Sequence, residues 1–191
     1  MIVFTYPGQG SQKTGMGSEW INHPSWELVE EAADLTGRDL TALLLEADDE
    51  ELTQTRNAQL ATFLVSMVIF DAVQRTGIDA AAHAGHSLGE YSALTASGSL
   101  DFEDAVSLVS ERGEAMQVCA ETHEGTMAAI LGLDDDLVES ACHRVDDDVW
   151  VANFNAPGQV VIAGSPSGVE AASIVAKDIG AKRAMRLPVS G

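Results

Sequence analysis

The sequence predicts an α/β protein, and three observations carry that prediction. Residues 2–6, Ile-Val-Phe-Thr-Tyr, are β-rich and stop at the glycine turn Pro7-Gly8-Gln9-Gly10. Gly85-His86-Ser87-Leu88-Gly89 stands between a weak strand pattern and a helix rich in small residues, the setting of a sharp strand-to-helix turn. From residue 126 onward the pattern runs β-α-β-β-α-β, a ferredoxin-like order that can close as its own small layer. A boundary near residue 125 therefore separates a larger part, 1–125, from a small subdomain, 126–191.

The remaining elements follow in order. Residues 26–45 read as two helical pieces broken at Gly37, and residues 60–73 are apolar nearly all round, which marks a helix buried in the domain. Thr76-Gly77 ends that helix. A strand over 78–84 must lead into the Gly85 turn, although Ala80-Ala81-Ala82 is poor strand material. Residues 90–97 form a short helix. A stronger one starts at Asp101, with Ala105, Leu108, Val109, Arg112 and Met116 at helical spacing on one face. In the small subdomain, strands over 126–133, 149–153, 159–163 and 184–189 alternate with helices over 135–145 and 167–179. Asn155-Ala156-Pro157-Gly158 supplies the turn between the central strands.

Composition excludes several function classes. Thirty acids against ten bases give a net charge of −20 over 191 residues, a field that repels a nucleic-acid backbone. The N-terminus has no basic region, and the longest apolar stretch, 60–70, falls short of a bilayer span, so neither export nor a membrane segment is expected. The two cysteines, Cys119 and Cys142, match no metal or redox spacing and suit a reduced, cytoplasmic chain.

Two residues draw chemical attention. Gly85-x-Ser87-x-Gly89 is the pattern that lifts a serine hydroxyl out of a sheet beside backbone N–H groups able to hold an oxyanion; its plainer reading is a structural turn serine. Arg112, on the apolar stripe of its helix, needs an anion, because an unpaired buried charge is costly. That anion is either a structural Asp or Glu, or a ligand carboxylate gripped bidentately. His83 and His86 lack a further ligand at metal spacing, so no metal is expected. His123 lies in an acidic loop and His143 on a polar helix face, neither well placed as a general base. Lys177, Lys182, Arg183 and Arg186 crowd four of the ten bases into one stretch, which reads either as a docking patch or as solvated cations near a helix C-terminus.

Taken together, a set of ordered segments resembles the malonyl-CoA:acyl-carrier-protein transacylase family. These are Pro7-Gly8-Gln9-Gly10-Ser11-Gln12, Gln59, the run from Gly85 to Leu94, Arg112-Gly113 with Met116-Gln117, the run from Asn153 to Gly164, and Leu187-Pro188-Val189-Ser190. The Gly-His-Ser-Leu-Gly-Glu-Tyr-Ser-Ala-Leu block is closer to the free-standing fatty-acid enzyme than to an acyltransferase module of a polyketide synthase. The resemblance implies a hydrolase-like core with a parallel sheet, incomplete at its C-terminus, beside a ferredoxin-like subdomain.

It also implies roles. Ser87 is the nucleophile, the backbone N–H groups of Gln9 and Leu88 form the oxyanion hole, Gln59 lines the site, and Arg112 pairs with the malonyl carboxylate. Malonyl-CoA and acyl carrier protein are the implied partners, the coenzyme A thioester is a substrate, and no cofactor is required. Lys182, Arg183 and Arg186 are the candidate carrier-docking residues. In the family, Pro-Val-Ser is followed within a few residues by the histidine that activates the serine. Here Gly191 comes first, so the resemblance implies an N-terminal portion whose base lies outside it. Two rivals stand beside this reading: a serine esterase, which has no use for Arg112, and a non-catalytic module.

Overall fold

Val3-Phe4-Thr5-Tyr6 is β-branched and aromatic and forms strand β1 (Val3–Tyr6). The structure, a computed structural model, describes residues 1–122 and 124–187, so His123 and the Pro188-Val189-Ser190 match lie outside the described residues. The chain divides into two compact units, Met1–Gln117 and Val118–Gly191.

In the first unit a 3₁₀ turn at Pro24–Trp26 leads into α1 (Glu27–Thr36), which Gly37 ends in the left-handed conformation at φ 65°. Asp39 and Asp48 cap α2 (Leu40–Leu45) and α3 (Asp49–Thr53), accepting from the N–H groups of Ala42 and Glu51. The sequence pattern missed the short α3. The helix α4 (Thr55–Gln74) is buried throughout residues 57–68. It is long and apolar enough to cross a membrane by composition alone, yet 67% of that window is buried, so here it is the core of the unit. Around it pack Trp26, Val29, Leu40, Leu44 and Leu52 from earlier in the chain, with Leu88, Ala105, Val106 and Val109 from later.

Strand β2 (Ala82–Gly85) begins four residues later than the pattern suggested, with Ala80 and Ala81 left outside it. It pairs in parallel with β1, with Tyr6 opposite Gly85. Both strands therefore end at the same edge, and the turns that follow them, at Pro7 and His86, lie side by side. Beyond them run α5 (Gly89–Ala96) and α6 (Phe102–Thr122), the latter longer than expected.

The second unit contains β3 (Thr126–Leu131), α7 (Asp135–His143), β4 (Val149–Ala156), β5 (Gln159–Gly164), α8 (Pro166–Asp178) and β6 (Arg183–Arg186). The sheet order is β4-β5-β3-β6, and every neighbouring pair is antiparallel. Strand β4 runs on through Asn155-Ala156, with two register shifts against β5, so the turn is shorter than expected. One sheet face buries Ala128, Ile130, Val160 and Ile162 against Val138, Ala141 and Cys142 of α7 and Val169, Ala172 and Ala176 of α8. Strand β6 ends at Arg186, and Leu187 N–H then donates to Met127 O.

Candidate active site

Ser87 has φ 53°, the only non-glycine residue among those described with positive φ. A side-chain-bearing residue is held there only when its surroundings over-determine it. Those surroundings are two glycines. A Cβ on Gly85 would overlap the Gly89 carbonyl, and a Cβ on Gly89 would overlap the carbonyl of Tyr6 at the end of β1. Strand β1, the turn and the start of α5 thus touch backbone to backbone, and the contact leaves the Ser87 side chain exposed. His86 N–H donates to Tyr6 O at 3.2 Å and Gly89 N–H to His86 O at 2.9 Å, closing the turn. Leu88, fully buried, is the N-cap of α5. Among the described residues neither its N–H nor that of Gln9 is committed to another acceptor.

Arg112 of α6 reaches this turn. Its Nη2 donates to Ser87 Oγ at 3.1 Å, and its Nη1 donates to Gln59 Oε1. The Gln59 amide, 1% exposed on α4, turns its Nε2 toward Gln9 Oε1 at 2.9 Å. That orientation is forced, since a guanidinium has no acceptor and must face the amide oxygen. A continuous chain from Gln9 through Gln59 and Arg112 to Ser87 therefore brings together four of the residues singled out from the sequence. Leu88 adjoins it through the turn. The Arg112 Cζ also lies 5.9 Å from the centroid of the Tyr91 ring, a residue the sequence reading passed over.

The structure corrects one expectation about Arg112 and removes one alternative. The buried face of α6 is Ala105, Val106, Val109 and Gly113, while Leu108 and Met116 are exposed and Arg112 is half-buried. Gly113 causes the rotation: its Cα faces α4 so closely that a Cβ would sit 3.1 Å from Arg56 Cα and 3.3 Å from Gln59 Cβ. Arg112 is thereby set at the margin of the packed face rather than within it. Nor does a structural carboxylate satisfy it; its partners among the described residues are an amide oxygen and a hydroxyl. Gln117, three helical positions past Glu114, ties α6 to the start of α4 by accepting from Thr55 N–H at 2.8 Å.

Other candidates sit apart from this chain of contacts. Tyr6 and His83 form a cross-strand pair, hydroxyl to Nδ1 at 2.9 Å with the rings stacked at 5.9 Å, and burial pushes the Tyr6 phenol up to about 12. His143 is exposed in the last turn of α7. Cys119 is exposed and Cys142 buried, its thiol pushed up by burial. Among the described residues no group of three His, Cys, Asp or Glu could hold a metal ion. A cavity of about 730 Å³ lies between β1, residues 11–20 and α4, lined chiefly by apolar side chains such as Phe4, Trp20, Val65 and Phe70, and includes neither Ser87 nor Arg112.

The four crowded cations lie in the second unit. Lys177 is in the last turn of α8, and Lys182 folds its aliphatic stem over Gly132. Arg183 and Arg186 both lie on β6, an edge strand, opposite Leu131 and Ala128 respectively. Three residues apart on a pleated strand, they point to opposite faces of the sheet. Arg186 is engaged by Thr126, its Nε donating to Oγ1 at 3.0 Å.

The chain is similar to known proteins along its whole length. The family model described as "Acyl transferase domain" matches residues 3–186. A malonyl CoA-acyl carrier protein transacylase of Bacillus subtilis is 46% identical over 100% of this chain and 62% of its own length. The crystal structure of an acyl carrier protein S-malonyltransferase from Vibrio cholerae superposes with a TM-score of 0.91 at 42% identity, over 99% of this chain and 63% of that one. A malonyl-transacylase solved in complex with its type II polyketide acyl-carrier protein gives 0.89 at 41% identity, over 99% and 63%. The chain thus spans somewhat less than two thirds of the length of these relatives.

Proposed function

Because the chain belongs to the acyl transferase family, we propose that it carries the malonyl-binding and nucleophile-bearing part of a malonyl-CoA:acyl-carrier-protein transacylase serving fatty-acid synthesis. The observation that carries this reading is the hydrogen bond between the Arg112 guanidinium and the hydroxyl of Ser87, held at positive φ. A fixed cation beside a nucleophile suits an acyl donor that ends in a carboxylate. A serine esterase of neutral acyl groups gains nothing from it.

In this reading Ser87 Oγ attacks the thioester carbonyl of malonyl-CoA and surrenders its proton to a base. The tetrahedral oxyanion rests on the N–H groups of Gln9 and Leu88, both left uncommitted at the adjoining turns. Collapse breaks the C–S bond, and the coenzyme A thiolate leaves and takes up the proton. The thiol of the carrier's phosphopantetheine arm then repeats the sequence in reverse, regenerating Ser87. Arg112, positioned by Gln59 before the substrate enters, grips the malonyl carboxylate throughout. Arginine cannot serve as the base, because its guanidinium does not give up a proton in proteins. By the resemblance, the base in this family is the histidine that follows Pro-Val-Ser. No cofactor enters this chemistry.

The finer architecture belongs to the same proposal. The parallel pair β1–β2 ending at the elbow supports a hydrolase-like core over 1–125, and the sheet order β4-β5-β3-β6 supports a ferredoxin-like subdomain over 126–191. Lys182, Arg183 and Arg186 are proposed to steer an acidic carrier protein toward an acidic enzyme, with Arg186 the least free of the three. A cytoplasmic setting follows from the substrate.

Calorimetric titration with malonyl-CoA and acetyl-CoA tests the reading without requiring turnover. Arg112→Ala is expected to weaken malonyl-CoA by about 2–5 kcal/mol, the usual effect of truncating one partner of a desolvated charge pair, and to leave acetyl-CoA unchanged. Equal weakening of both donors would overturn it.

A further inference from the structure

Resting on the reading of Arg112 as the partner of the malonyl carboxylate, we propose that Tyr91 is a positioning residue for that arginine and thereby sets the preference for a carboxylated acyl donor. The geometry has three parts. Tyr91 lies in the first turn of α5, the helix that opens directly after the Ser87 turn. The ring is half-buried, packed against the apolar core of the first unit. The Arg112 Cζ then stands 5.9 Å from the ring centroid, inside the range at which a cation is drawn to an aromatic face.

Two side-chain acceptors, Gln59 Oε1 and Ser87 Oγ, fix the guanidinium at Nη1 and Nη2. Both can be lost during the proposed reaction, because Ser87 Oγ becomes the ester oxygen and the incoming carboxylate competes with the amide. The ring is consumed by neither step. It is the contact that keeps the guanidinium over the turn while its hydrogen-bond partners change. Without it the long arginine side chain, half-buried at the margin of α6, regains rotamers that point away from Ser87. The ring touches no acyl group in this scheme, so its effect is confined to donors that need Arg112.

The test reads the ratio of malonyl-CoA to acetyl-CoA affinity in the full chain. Tyr91→Phe, which keeps the ring, is expected to hold the ratio within about twofold, and Tyr91→Leu to lower it roughly fivefold through malonyl-CoA alone. Pentafluorophenylalanine at position 91 fills the same volume with an inverted ring quadrupole and is expected to lower the ratio like leucine while leaving the melting temperature unchanged. This keeps the test decisive should the leucine variant fold poorly. In an Arg112→Ala background the Tyr91 changes are expected to have no further effect on the ratio. A fluorinated ring that leaves the ratio intact, or losses shared equally by both donors, would overturn the proposal for Tyr91. If Arg112→Ala itself leaves the ratio unchanged, the reading of Arg112 falls first and this inference with it.

Discussion

Strands β1 and β2 of the first unit are four residues each, pair only with one another among the described residues, and leave most of their side chains exposed. The second unit instead aligns four antiparallel strands and packs the inward residues of one face against α7 and α8. Yet Ser87, Arg112, Gln59, Gln9 and Leu88 all belong to the unit with the slighter sheet. What stiffens the site is therefore not a ladder of strand hydrogen bonds. It is the backbone-to-backbone contact of Gly85 and Gly89 with their neighbours, backed by the buried helix α4. Ladder length and functional rigidity are separable here. The first unit stores strain at one serine, while the second stores little beyond two bulge-like shifts in β4.

The strongest way to break this contrast is Gly89→Ala. Its Cβ would overlap the Tyr6 carbonyl, so β1 and α5 must part. A loss of about 4 kcal/mol or more is expected in denaturant unfolding, together with loss of malonyl-CoA selectivity. A near-neutral result would show that the contact is not what stiffens the turn. Ile162→Ala probes the other unit, where the side chain is 1% exposed. It is expected to cost about 3 kcal/mol by leaving a cavity. Amide exchange on β1 and β2 should be unmoved, whereas accelerated exchange there would tie the two regions together.

Alkaline pH separates the units more gently. The Tyr6 phenol is pushed up to about 12 in the folded chain, above its ordinary value of 10.0. The unfolded chain therefore releases this proton first, and stability falls as pH rises from 10 toward 12, by on the order of 2 kcal/mol. Tyr6→Phe should flatten that part of the curve; an equally steep decline in the variant would assign it to other groups. The smallest expected effect is Ser87→Gly, which relieves the positive φ of 53° and should raise stability by about 1 kcal/mol. A destabilised variant would mean that the serine hydroxyl contributes more to the fold than its backbone strain removes.

Some of this was open to a reader of the sequence alone. The spacing of Gly85, Ser87 and Gly89 encodes the elbow directly, because close backbone approach admits no side chain at either flank. The order of elements in the second unit was legible for a similar reason: Gly125 and Gly132 bound the apolar run of β3, Gly158 and Gly164 that of β5, and glycine punctuation is a local signal. The face of α6 was not legible. Leu108 and Met116 complete an apolar stripe on paper, but the rotation is decided by Gly113 against Arg56 and Gln59, a contact 54 to 57 positions away in the chain. The same limit hid Tyr91 and the Gln9 side chain, whose contacts arise only where segments distant in the chain meet. It also blurred β2, which forms where β1 offers a partner rather than where its alanines favour extension.

The burial of α4 has a consequence for synthesis. A twenty-residue apolar helix in a growing chain is a target for membrane-insertion factors and holdases until something covers it. Trp26, Val29, Leu40, Leu44 and Leu52, which pack in the same core, are all translated before it. The segment therefore leaves the ribosome after these partners have emerged, and it waits only for Leu88 and α6 to close the far side.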